Sequence, residues 1–311
     1  MATGNVAINK VKMMLNGMIN GEMNPSEGFV CKLYKRASGE LKDFKEDLRK
    51  NMICRSLLYW DDTVIMIQTE RACMRFYGDE NISYYTAHAA KDLEGIIEDD
   101  ILTVLTSETH VMHDHNRVNY NERFSFLNLE CNQHLERDLQ KITNDNPSHT
   151  WSNQLKKHIS ATIKKRKDYI AEGRTGFTYD EICKFDAKIK RLLKKGEKEN
   201  ASSTDTYAAP FEKTVLKRIH EYMENYFKWV RDFSLPTTDN LSLCELFIYA
   251  NFLRKELWIR VPVQKSSHNK NHLRPHSFAS SSSWPAHKGD SCFIVSSFPE
   301  SNALRICSSE G

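Results

Sequence analysis

The chain has 311 residues, and its 44 Lys and Arg against 41 Asp and Glu leave a formal charge of only +3. That length suits one large domain or two ordinary ones, and the charge balance excludes a histone-like basic protein and an acidic tail protein. With 40% hydrophobic and 10% aromatic residues there is enough apolar side chain for a core, which excludes wholesale disorder.

The opening residues are mixed polar and amphipathic, without the basic start, apolar run and small-residue cleavage site of a secretory leader. No signal peptide is expected. Residues 1–52 read as a helical arm, with a turn at NPSEG (24–28) and amphipathic spacing in LKDFKEDLRKNMI. From residue 53 the character changes to short blocks rich in β-branched and aromatic residues: RSLLYWDDTVIMIQT, ACMRFYG, ISYYTAH, THVMHDH and RFSFLNLEC. These are predicted strands. KDLEGIIEDDILTVLTS, between the third and fourth of them, has helical periodicity, so 53–145 is expected to be the first part of an α/β core.

Residues 151–200 carry fourteen Lys and Arg against seven Asp and Glu, a local charge of 14 − 7 = +7. Leu155, Ile159, Ile163 and Ile170, then Ile182, Phe185, Ile189, Leu192 and Leu193, recur at helical spacing, which predicts a basic helical hairpin turned at EGRTG (172–176). It sits in an insertion spanning 146–204. Lys156, Lys157, Lys164, Lys165, Arg166, Lys167, Lys190 and Arg191 are its candidate DNA-binding residues, because such cations displace counterions condensed on phosphates; the alternative is a solvated helix face. NASSTDTYAAP (200–210) reads as a linker ahead of a long helix, FEKTVLKRIHEYMENYFKWVRDF, whose Leu216, Ile219, Tyr222, Met223, Tyr226, Phe227 and Val230 form a wide apolar stripe suited to a core. C-terminal core helices are expected over 205–265, and a disordered tail over 266–311, where thirteen serines fall in 46 residues without any period. LCELFIYANFLRKELWI is too broken by charge to span a membrane. The eight cysteines are scattered without a CxxC pair, as expected of reduced thiols. A soluble, cytoplasmic protein is the expectation.

Chemistry enters at the strand ends. LLYWDDT places Asp61 or Asp62, and HVMHDHN places Asp114, where two strands finish. In an open sheet neighbouring strands bring such ends together, and paired carboxylates are ligands for hard divalent cations. Two such cations could activate a water and stabilise the leaving oxygen of an in-line phosphoryl displacement. Asp also follows strands simply as a turn former.

The blocks WDDTVIMI, MHDHNRVNYN and LNLECNQHLERDL, then LPTTDNLS, together resemble the insertion-sequence sixty-six family of bacterial transposases, from about residue 5 to Ser242. The resemblance implies an RNase H-like mixed sheet, a D, D, E carboxylate triad and Mg²⁺ or Mn²⁺ as cofactor. It places the first catalytic and metal-binding Asp at Asp61 of Asp61-Asp62-Thr63 and the second at Asp114, and a Cys-x-x-His-x-x-Arg-like element falls on Cys131, His134 and Arg137. It also implies transposon ends and target DNA as partners of a homo-oligomer. His113 and His115 flank Asp114, but an H-D-H tripeptide on a strand cannot converge three side chains on one ion, so they read as polar neighbours. Cys131 and His134 are spaced like half a zinc site; no second pair is visible, and a packed Cys with a hydrogen-bonded His is the better reading.

The third carboxylate departs from the family pattern. After Asp239-Asn240-Leu241-Ser242 the expected Glu-Arg is Leu243-Cys244, and Glu245 would point roughly 200° away around a helix. The sequence after Ser242 stops resembling the family and looks like a shifted reading frame. The N-terminal zinc-binding, DNA-binding region of the relatives also finds no counterpart. The expectation is a transposase-type protein for DNA cleavage and transfer, impaired at the third carboxylate. The alternatives are an inactive DNA-binding or interaction protein derived from a transposase, and a metal-dependent nuclease that nicks without integrating.

Overall fold

The computed structural model describes residues 8–18, 24–67, 70–239 and 292–295. The chain folds as a mixed α/β protein in two compact units, one made of 51–61 and 96–244, the other of 1–50, 62–95 and 245–311.

The first unit holds the start of β1 (Leu57–Ile67), then β4 (His110–His113) and β5 (Leu127–Glu130). β4 pairs parallel with β1 on one side (Leu57↔His110, Leu58↔Val111, Tyr59↔Met112) and with β5 on the other (His110↔Leu127 to His113↔Glu130). Parallel strands are covered on both faces, and Leu58, Val111, Met112 and Leu129 are accordingly buried. α5 (Asn132–Asp145) buries Leu135, Leu139 and Ile142, one stripe at i, i+4 and i+7. α6 (Trp151–Ala171) and α7 (Tyr179–Ala201) form the hairpin expected over this stretch, and α7 starts at a capping box in which Thr178 and Glu181 bond each other's backbone N–H groups. Gly196 lets the hairpin close, because a Cβ there would stand 2.6 Å from Trp151 and 2.7 Å from Leu216. Trp151 is tied in turn to the fully buried Glu212 of α8 (Ala208–Glu221), which also accepts from Asn146 at 2.9 Å and from His149 at 2.8 Å. The long helix expected over 211–233 is broken into α8, α9 (Met223–Phe227) and a 3-10 turn at Lys228–Val230. Its apolar stripe does form core, with Leu216, Ile219, Tyr226, Phe227 and Val230 buried.

The second unit holds α1 (Ile8–Met18), α2 (Glu27–Glu40) and most of α3 (Lys42–Ile53), which is the helical arm, with Ser26 of the NPSEG turn capping α2. It also contains the hairpin of β2 (Glu70–Gly78) and β3 (Ile82–His88). Gly78 is required at that turn, since a Cβ would meet the Ile82 carbonyl oxygen at 2.1 Å, and Asp79 Oδ1 accepts the N–H groups of Asn81 (2.7 Å) and Ile82 (2.8 Å). The strand order is β5-β4-β1-β2-β3-β6, where β6 (Cys292–Val295) pairs parallel with β3. The sheet is thus mixed.

Two further expectations change. The helix over 91–107 shrinks to α4 (Leu93–Asp99), because Asp100 takes a left-handed φ of 50° and a separate 3-10 turn follows at Leu102–Val104. The tail expected to lack structure lies outside the described residues except for β6, whose four residues are strand rather than disorder. No helix among the described residues is long and apolar enough to cross a membrane.

Candidate active site

β1 does not finish at the two aspartates; it runs on to Ile67. What finishes near them is the parallel pairing, whose last partners are Tyr59 and Met112. Continuing that register by one residue sets Trp60 beside His113, and their rings stand 5.8 Å apart. A further step, past the end of β4, would set Asp61 beside Asp114. The β4–β5 register, which ends at His113↔Glu130, sets Asp114 beside Cys131. Side chains alternate along a strand, so Trp60, His113 and Glu130 share one face and Asp61 belongs to the other, while Asp114 and Cys131 directly follow the ends of β4 and β5.

The same alternation separates Asp61 from Asp62. Asp61 is buried, 8% exposed. Asp62 lies in the other unit's stretch of chain, ion-paired with Lys91 and, at 3.8 Å, with Arg75, which has no exposed surface and also donates to the Asp92 carbonyl at 3.0 Å. Asp62 is therefore the counterion of a buried guanidinium.

Hydrogen bonds hold Asp114 by its backbone. Its carbonyl accepts from Asn119 Nδ2 at 2.8 Å and lies 2.7 Å from His113 Nδ1, while His113 Nε2 meets Asn128 Oδ1 at 2.7 Å. His115 turns away, donating from Nδ1 to Glu130 Oε1 at 2.7 Å. Tyr120 donates to the same oxygen at 2.5 Å. Burial works to raise the Glu130 carboxyl, but the His115 hydrogen bond and the neighbouring imidazoles outweigh it and hold the group below the usual carboxylate range. Burial first, then the Glu130 charge, pushes the Tyr120 hydroxyl far up, so it stays a donor. The two histidines are thus polar neighbours of Asp114, as expected of an H-D-H tripeptide.

Cys131 and His134 are likewise no half zinc site. Burial, helped by the Asp239 charge, pushes the Cys131 thiol up to about 12, so it remains protonated. Its Sγ accepts the Asp239 N–H at 3.2 Å. His134 sits next to it on α5 with Nδ1 buried and without a hydrogen-bond partner. Burial, then Arg137, pulls its pKa below the ordinary value, against the Asp114 and Asp138 charges. Asn132, at the start of α5, bolts the following segment into place: its side chain donates to Tyr226 O at 2.9 Å and Thr237 O at 3.0 Å, and its N–H to Thr237 O at 3.1 Å. Leu243 and Cys244 lie just past the described stretch. Among the described residues no three His, Cys, Asp or Glu side chains converge as a metal cluster.

The cationic residues of the hairpin divide into two sets. Lys157, Lys164, Lys167, Lys190 and Arg191 are exposed. Lys156 donates to Gln140 at 2.9 Å and Lys165 to Glu181 at 2.7 Å, while Arg166 donates to the carbonyls of Phe233 (2.6 Å) and Leu235 (2.8 Å). Glu130, Tyr120, Asn119 and Asn132 are site residues that the sequence reading did not single out. Glu130 carried a usable signal, since LNLE also ends a strand in a carboxylate.

Residues 15–242 match a transposase family model, which makes this a protein of the class that moves DNA segments. The model is that of the Transposase IS66 family, and the chain belongs to that family. No curated protein and no solved structure matches it.

Proposed function

We propose that this chain carries a DNA strand-cleavage and transfer site of RNase H-like arrangement, built on Asp61 and Asp114, and that its turnover is impaired by Leu243. The observation that supports the reading is the parallel β1–β4 register, whose last partners are Tyr59 and Met112; extended by two residues it would bring Asp61 beside Asp114. Ligand sites of such sheets lie beyond the carboxyl ends of the strands. The donor chemistry fits a hard divalent cation: both groups offer carboxylate oxygens, and the nearby thiol stays protonated. Asp61 and Asp114 would hold Mg²⁺ or Mn²⁺, which when bound activates the attacking oxygen and stabilises the leaving one. His113 and Asn119 keep Asp114 in place through its carbonyl. Asn132 anchors the segment leading towards position 243. A leucine there supplies no oxygen, so the second cation loses a ligand, a deficit worth several kcal/mol of transition-state stabilisation, on the order of 3. The exposed lysines of the α6–α7 hairpin supply non-specific phosphate contacts, and a homo-oligomer would bring two DNA ends together.

Leu243 also favours a second reading, an inactive DNA-binding protein derived from a transposase. Nicking of supercoiled DNA with Mn²⁺ separates the two. The first reading expects weak nicking by the chain, stronger nicking after Leu243→Glu with Cys244→Arg, and none when Asp61→Ala or Asp114→Ala is added. Cutting that survives either alanine would remove the site assignment, and salt-sensitive DNA binding with no nicking in any variant would leave the second reading.

A further inference from the structure

Three aromatic rings gather where β4 ends. Tyr222 lies over Tyr120 with ring centroids 4.3 Å apart, and His115 is 5.0 Å from Tyr222 and 5.9 Å from Tyr120. Two of the rings are braced. Glu130, 1% exposed, receives hydrogen bonds from both His115 Nδ1 (2.7 Å) and the Tyr120 hydroxyl (2.5 Å), and Asn225 donates to that hydroxyl at 3.3 Å. The third ring is different. Tyr222 stands where α8 gives out, with φ −112° and ψ 26°, and it is only half-buried, whereas Tyr226 one turn on is 1% exposed and closes the core. His115 also keeps 16% of its side-chain surface open. A rigid aromatic pair therefore carries a partly uncovered ring. Arg117, two residues after His115, is exposed.

We infer that His115, Tyr120 and Tyr222 form a stacking platform for one unpaired nucleobase of a DNA strand, with Arg117 at its phosphate. This rests on the reading of the strand end as a DNA-cleaving site. His115 follows Asp114 directly, so its Cα lies about 3.8 Å from that of the proposed ligand, and a strand crossing the sheet edge spans both within a nucleotide or two. The base must be unpaired, because a base inside a duplex has both faces covered by its neighbours. An aromatic face accepts any base, so the platform orders the strand without reading its sequence. The cost of a fixed geometry is already met by the Glu130 bridge, which leaves little ring freedom to lose on binding.

The test uses a dye-labelled single-stranded oligonucleotide and a second of equal length with abasic sites, which keeps the phosphates and removes the bases. Anisotropy is measured without metal. The full chain is expected to bind the base-bearing strand about tenfold more tightly than the abasic one. Tyr222→Ala removes that preference while leaving abasic binding unchanged; Tyr222→Phe, which retains the ring, keeps it. Equal binding of the two strands by the unaltered chain, or an undiminished preference in Tyr222→Ala, would overturn the platform alone. Failure to bind either strand would overturn both the platform and the DNA reading beneath it.

Discussion

The carboxylate end of the sheet and the α6–α7 hairpin are both dense in charge, but they use it in opposite ways. At the strand end Asp61, His113, Asn119, Glu130 and Asn132 are all buried, and the last four hold one another or the backbone in direct hydrogen bonds. In a low-dielectric setting each such group has a defined partner, so a single substitution is costly. On the hairpin the charges lie in water and pair locally; Lys184 and Asp180 bond at 2.6 Å with side chains 75% and 73% exposed. Such pairs contribute little individually. The first region can carry stereospecific chemistry, whereas the second offers only a collective field.

Substitutions should break the molecule along that line. The largest effect on stability is expected from Asp62→Ala, which leaves Arg75 as a buried charge without its carboxylate and should cost about 3–5 kcal/mol. Urea unfolding measures it. Next comes Gly196→Ala, whose added methyl meets Trp151 and Leu216. Overpacking there should cost about 1–3 kcal/mol, read as a lowered thermal midpoint, while Gly173→Ala at the hairpin turn tests strain rather than packing, since its φ is +80° with open space around it. The smallest effects belong to the exposed lysines. Replacing Lys157, Lys164 and Lys167 together with Ala should reduce the slope of log affinity against log salt by roughly 0.7–0.9 per lysine that touches phosphate, with stability unchanged. Arg166→Ala should do the reverse, weakening the fold because it bonds two carbonyls of the segment after α9. A salt slope indifferent to the three lysines would make the hairpin a solvated face.

Local periodicity made much of this architecture legible. The β2–β3 hairpin, the α6–α7 hairpin and the apolar stripe of α8–α9 follow from alternation, from 3.6-residue spacing and from turn residues at fixed positions. Asp114 was legible for the same reason, as a carboxylate closing a strand. Between Asp61 and Asp62 the spacing was silent, because adjacent strand residues differ only in face, and the preference for Asp61 came from the family resemblance. Glu130 was missed although it fits the strand-end pattern; only the register shows that it shares a face with His113 instead of Asp114. Arg166 could not be separated from its basic neighbours, since the carbonyls that it bonds lie 67 and 69 residues away. The break after α4 came from one backbone angle at Asp100, which no apolar spacing encodes.

The most direct test is Mn²⁺ binding followed by electron paramagnetic resonance, in the unaltered chain and in Asp61→Asn, Asp62→Asn and Asp114→Asn. Each change removes a carboxylate charge while keeping side-chain size. Saturable binding that is lost in Asp61→Asn and Asp114→Asn and persists in Asp62→Asn is the predicted result. Binding that survives both of the first two changes, or that depends on Asp62 instead, would contradict the assignment of the paired carboxylates.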